Sequence, residues 1–206
     1  MTDSVSHSVA TEYNRSRPIK KWEYLSRHHL SKRWLVGNSQ MAKFSGHKDY
    51  QITYKRGARL EEIVREAEWL TTVGATHIVI DGVQNSVKEI IQGRLQLERT
   101  IQPRLKTMNQ TASVVLAECL YCPEHVDIIP RLQWINRSIR RINKEASGSE
   151  TPRPWTVLGE NKRSTVRSRK DSFTFFPDAF GRDGYHINVA KIEEYEQNIA
   201  NYLRNM

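Results

Sequence analysis

Short apolar runs of strand character alternate along this chain with segments whose apolar residues recur every three to four positions. That alternation constrains the fold more than any other feature. Trp34-Leu35-Val36 ends in Gly37, Tyr50 to Tyr54 runs on toward Gly57, His77 to Asp81 is followed by Gly82, and Ser113 to Ala117 completes the set. Between them, Leu60, Ile63, Val64, Ala67 and Leu70 mark a helical face, with Glu61 and Glu62 in the first turn, where they suit the helix dipole, and Gly74 as its stop. A second helix opens near Ser86 with Val87, Ile90, Ile91, Leu95, Ile101 and Leu105, and Pro103 should kink or split it. Leu132, Ile135, Ile139 and Ile142 mark a third, and a last helix from about Val189 to Leu203 carries Ile192, Tyr195 and Ile199. Strand–helix–strand units imply a parallel sheet covered on both faces. In such sheets sites form at the carboxyl ends of the strands. This directs attention to Gly37-Asn38-Ser39, Gly57 and the stretch Asp81 to Asn85.

With 206 residues, 38% of them hydrophobic, the chain has the size and apolar content of one domain. Residues 1–25 read as a flexible basic tail without periodicity, and residues 26–206 as a single domain. A Ser/Pro/Arg-rich insertion at about 145–172 carries a candidate short strand at Trp155 to Leu158. Phe173 to Phe176 reads as a last strand or an apolar plug. No run approaches the roughly 18 apolar residues that span a bilayer, and the N-terminus lacks an apolar signal core, so a cytoplasmic protein with no membrane association is expected. Its oligomeric state is left open, a monomer being assumed. Cys119 and Cys122, with His125 nearby, are too few for a metal site and read as reduced, packed thiols. His28, His29, His47, His77 and His125 show no ligand spacing.

Charge is unevenly distributed. Residues 131–170 hold 11 basic side chains (Arg131, Arg137, Arg140, Arg141, Lys144, Arg153, Lys162, Arg163, Arg167, Arg169, Lys170) against Glu145, Glu150 and Glu160. The whole chain carries +9. Clustered cations gain by releasing counterions from phosphates. Single-stranded RNA or DNA is therefore an expected partner, through Arg137, Arg140, Arg141, Arg163, Arg167, Arg169 and Lys170, with Trp155 and Tyr185 as candidate stacking platforms. A solvated basic face with no partner fits the same charges.

Four short blocks resemble the SGNH hydrolases, the GDSL-like esterases and lipases. They are Val36-Gly37-Asn38-Ser39, Arg56-Gly57-Ala58, Gly82-Val83-Gln84-Asn85 and Asp183-Gly184-Tyr185-His186 before the last helix. The resemblance runs from about residue 33 to the C-terminus. It implies an α/β fold of three layers, α/β/α, around a five-stranded parallel sheet in flavodoxin-like order. It also implies acyl transfer from a small ester with no metal and no cofactor. Ser39 would be the nucleophile, His186 the general base and Asp183 the residue that orients it. The oxyanion hole would be built from Ser39, Gly57 and an amide of Gln84 or Asn85. The sequence departs from the family pattern in having Asn38 where Asp is usual and Gln84 where the family places its oxyanion asparagine. The C-terminal domain of the insect germ-plasm organiser Oskar is a second relative by resemblance: SGNH-like, basic and RNA-binding, without a working triad. Two functions follow, a serine esterase and a non-catalytic nucleic-acid-binding module on the same fold.

Overall fold

The computed structural model describes residues 21–25, 31–153 and 179–206, together with the backbone of 159–160 and 174–175. Strands β1 (Glu23–Leu25), β2 (Arg33–Gly37), β3 (Gln51–Tyr54), β4 (His77–Asp81) and β5 (Ser113–Leu116) form one sheet in the order β1-β3-β2-β4-β5. The three central pairings that join β3, β2, β4 and β5 are parallel, and β2 lies directly beside β4, with Gly37 opposite Asp81.

Because side chains alternate across a strand, each apolar run feeds two cores. Val36, Ile78, Ile80, Val114 and Leu116 face α1 (Leu60–Thr72), α2 (Val87–Ile91), α3 (Gln102–Met108) and α4 (Ile129–Ser147). Leu35, Ile52, Val79 and Val115 join Met41, Tyr50 and the buried face of α5 (Val189–Asn205), made of Ile192, Tyr195, Ile199 and Leu203. The helical face read at Leu60 to Leu70 is buried, and the Glu62 carboxylate turns back to accept the Arg59 N–H at 3.1 Å. In the second helical segment the break falls at Gly93, which adopts φ 71°, and not at Pro103. Pro103 instead lies in the first turn of α3, directly after a π-helical turn, Leu97–Ile101, that runs into it.

The expected fifth parallel strand is not what the sheet contains. Its fifth member is β1, which is antiparallel to β3 at the edge and lies within the stretch expected to be tail. Residues 26–32 alone separate β1 from β2, too few for the crossover of a dozen or more residues that a parallel neighbour requires. At the opposite edge the place of a further strand beside β5 is taken by two buried amides of α4. Asn143 accepts from Leu116 N–H at 2.9 Å and donates to Leu116 O at 2.8 Å. Asn136 does the same for Cys119, at 2.7 and 3.1 Å. Gly159–Glu160 and Thr174–Phe175 form a separate antiparallel ladder, while the candidate strand Trp155 to Leu158 lies outside the described residues. No helix among the described residues is long and apolar enough to cross a membrane.

Candidate active site

The carboxyl end of β2 delivers Ser39. Gly37 ends the strand where a Cβ would overlap the Met41 side chain and the Asp81 carbonyl, so only glycine lets β2 approach β4 this closely. Asn38 then caps a 3-10 turn, Ser39–Lys43, its Oδ1 accepting the Gln40 N–H at 3.0 Å. As first residue of that turn, Ser39 has a backbone N–H with no intrahelical acceptor.

His186 and Asp183 come from the loop before α5. Phe180 pairs with Ile187 in an antiparallel bridge, Gly181 N–H donates to His186 O at 2.8 Å and Asn188 N–H to Ala179 O at 2.9 Å. Gly184, with φ 63°, makes the reversal. Asp183 Oδ1 accepts the N–H groups of both Tyr185 and His186 at 3.0 Å. Its Oδ2 lies 2.6 Å from His186 Nδ1, and His186 Nε2 lies 3.1 Å from Ser39 Oγ. The ring nitrogen facing the carboxylate donates, which leaves Nε2 to accept the serine hydroxyl. The His186 hydrogen bond, followed by the Tyr185 N–H, holds the Asp183 carboxyl down at about 2. Asp183 is 53% exposed, so it is an ionised group reached by solvent.

Gln40, which the sequence reading did not single out, locks the two loops together. Its Nε2 donates to Tyr185 O at 2.9 Å and its Oε1 accepts Ile187 N–H at 3.1 Å. A buried glutamine beside the candidate nucleophile carries no motif signal; only the arrival of a segment 147 positions away reveals its use.

The two amides expected at the oxyanion hole occupy different environments. Gln84 is buried, with Nε2 at 3.3 Å from Cys122 Sγ and 3.1 Å from His125 Nδ1, and its Oε1 accepts the Cys119 thiol at 3.0 Å. Both of its N–H groups therefore have partners. Asn85 donates one N–H to Ala58 O at 2.9 Å and accepts from Tyr185 O–H at 2.5 Å, which leaves it one N–H without a partner among the described residues. Gly57 adopts φ 72° in the turn between β3 and α1, and its N–H has no backbone acceptor among the described residues. Cys119 and Cys122 are both buried and unlinked, and burial pushes the Cys122 thiol up to about 11. His125 packs edge-on against Tyr185, and burial lowers its pKa, which keeps Nδ1 free to accept from Gln84. The sequence reading had left His125 without a role. Beneath the site, Asp81 is buried with the Tyr195 hydroxyl donating to its Oδ2, and burial pushes its carboxyl up to about 7.

The described basic residues of α4 are partly paired: Arg131, Arg137 and Lys144 are exposed without an ion pair among the described residues, and others hold carboxylates. Arg140 and Arg153 both contact Glu118 Oε1, at 2.6 and 2.9 Å, and Arg141 contacts Glu98 at 2.5 Å. Arg163, Arg167, Arg169, Lys170 and Trp155 lie outside the described residues, and Tyr185 stands in the serine–histidine site.

No protein-family profile matches the chain, and none of the curated proteins does. Solved structures do. A protein of Slackia heliotrinireducens assigned to the SGNH hydrolases superposes with a TM-score of 0.50 at 11% identity, over 82% of this chain and 97% of that one. LAE5, an α/β hydrolase enzyme from the metagenome of Lake Arreo in Spain, gives 0.54 at 13% identity, over 85% and 95%. At such identities the likeness speaks for the fold: a hydrolase-like α/β domain with a mostly parallel five-stranded sheet.

Proposed function

We propose that this chain is a serine hydrolase of SGNH type that cleaves an ester by acyl transfer, built on that family's three-layer arrangement. The observation that carries the reading is the unbroken chain from Ser39 Oγ through both ring nitrogens of His186 to Asp183 Oδ2, at 3.1 and 2.6 Å. In the first step Ser39 Oγ attacks the ester carbonyl while its proton passes to His186 Nε2. Asp183 holds the ring in the required tautomer and stabilises the imidazolium. The oxyanion is met by the backbone N–H groups of Ser39 and Gly57 and by the remaining N–H of Asn85, with Gln84 committed to its thiol and imidazole neighbours. Collapse of the intermediate expels the alcohol, which takes the proton from Nε2. A water deprotonated by the same nitrogen then releases the acid and restores Ser39.

The ion pairs at Arg140 and Arg141 give the nucleic-acid reading less free charge than the sequence suggested, and none of the comparisons supports it. The test is hydrolysis of 4-nitrophenyl acetate by the purified chain. Ser39→Ala should lower the rate by about a thousandfold or more while the melting temperature stays within about 2 °C. Equal rates for the two proteins would show the activity to be background.

A further inference from the structure

A cavity of about 580 Å3 opens beside the serine–histidine site, within the range of small-molecule sites. Tyr185, the residue before His186, and Asn85 form its wall toward that site. Their mutual hydrogen bond, and the edge-on packing of Tyr185 on His186, tie this wall to the reacting groups. Its lining is aliphatic at Val87, Ile91 and Ile128 and polar at Gln84, Gln92 and His125, and it carries two cations, Lys88 on α2 and Arg131 on α4.

Neither cation makes the ion pair that several other arginines of the chain make. Arg59, Arg104, Arg140 and Arg141 each hold a carboxylate of the chain, whereas neither Lys88 nor Arg131 has an acidic partner among the described residues. Glu124 and Asp127 lie on the turn leading to Ile128, but neither lines the cavity and neither pairs with these cations. A largely aliphatic cavity that also carries two cations without carboxylate partners among the described residues is complementary to a short hydrocarbon segment that terminates in an anion.

Resting on the esterase reading, we infer that this cavity selects the substrate: an ester that carries a carboxylate a few carbons from the scissile bond, the chain lying on Val87, Ile91 and Ile128 and the carboxylate between Lys88 and Arg131. Desolvation of the chain supplies affinity, and the charge pair supplies discrimination against neutral esters.

Two readouts test it. The first compares kcat/KM for mono-4-nitrophenyl adipate and 4-nitrophenyl butyrate in the wild type and in the double variant Lys88→Gln/Arg131→Gln. The adipate ester should be preferred by about tenfold or more in the wild type, the preference should collapse in the variant and shrink with added salt, and the butyrate rate should barely change. An identical preference in both proteins overturns the assignment. The second readout uses Ser39→Ala, which cannot turn over, and measures adipate monoester binding by calorimetry with and without the double substitution. Binding lost with the two cations supports the pocket even where Ser39-dependent hydrolysis is absent, and that absence by itself would count against the esterase reading. Binding of equal strength with and without Lys88 and Arg131, or none in either background, overturns the pocket.

Discussion

Asp81 shows how one buried residue couples the site's foundation to pH. It ends β4 opposite Gly37, is 7% exposed, and takes a hydrogen bond from the Tyr195 hydroxyl. Burial pushes its carboxyl up to about 7, the Tyr195 hydrogen bond opposing. An acid whose pKa is raised by folding is bound to its proton in the native state while the unfolded chain has already released it. Stability is therefore greatest below the ordinary carboxyl range and declines as pH rises from about 4 to about 7. Asp81→Asn keeps an acceptor for Tyr195 and removes the ionisation. The variant should match the wild type near pH 4 and exceed it by roughly 2–4 kcal/mol at pH 8. Urea unfolding at the two pH values decides this, and a difference that is the same at both would rule out Asp81 as its source. Asp183 behaves in the opposite sense: it is held at about 2 by His186 and backbone N–H groups, and stays ionised through that whole interval.

At the scale of elements, the site is a meeting of two short loops, and Gln40 is their joint. The 3-10 turn that carries Ser39 and the loop that carries His186 share no secondary-structure hydrogen bond. The Gln40 side chain bonds both the carbonyl of Tyr185 and the N–H of Ile187, on either side of His186. Gln40→Ala should leave a buried carbonyl and N–H without partners, at a cost of about 1–3 kcal/mol in stability. Loosening of the Ser39–His186 distance should lower kcat by tenfold or more with a smaller change in KM, since misplacement penalises the reaction more than binding. Thermal unfolding and steady-state rates on one preparation measure both. A stability loss with kcat intact would make Gln40 a fold residue only. The same scale explains where Gln84 goes: a longer amide folds back into the Cys119, Cys122 and His125 cluster, and the neighbouring Asn85 is left with an N–H that has no partner among the described residues.

For the molecule as a whole, the sheet has two edges and closes each differently. Asn136 and Asn143 satisfy the outer groups of β5 and of Cys119. β1 covers β3, and its side chains reinforce the cover: Tyr54 O–H donates to Glu23 and Tyr24 O–H to Glu66, each at 2.6 Å. Removing residues 1–25 would strip the ladder from β3 and present its unpaired groups to other chains. The truncated protein should aggregate at concentrations where the full chain stays clear, which light scattering at matched concentration would show. Equal scattering would mean that the edge is blunted by something other than β1.

The sequence by itself determined what depends on local periodicity and on residues that no other residue type can replace. The four parallel strands, the buried faces of α1, α4 and α5, and the glycines at 37 and 57 were legible because strand alternation, helical spacing and close backbone approach leave marks at fixed offsets. Ser39, Asp183 and His186 were legible as ordered blocks at strand and helix ends. Tertiary structure alone decided the rest. A three-residue strand such as β1 buries too little to leave a pattern, and its antiparallel sense follows from the short connection to β2 and not from its residues. Whether Gln84 or Asn85 keeps an N–H without a partner among the described residues, whether Arg140 faces solvent or Glu118, and whether Gln40 joins two loops are all settled by partners far away in the chain. Hydrogen bonds and ion pairs are directional and short-ranged, so their partners are chosen only after the apolar pattern has brought those distant segments together.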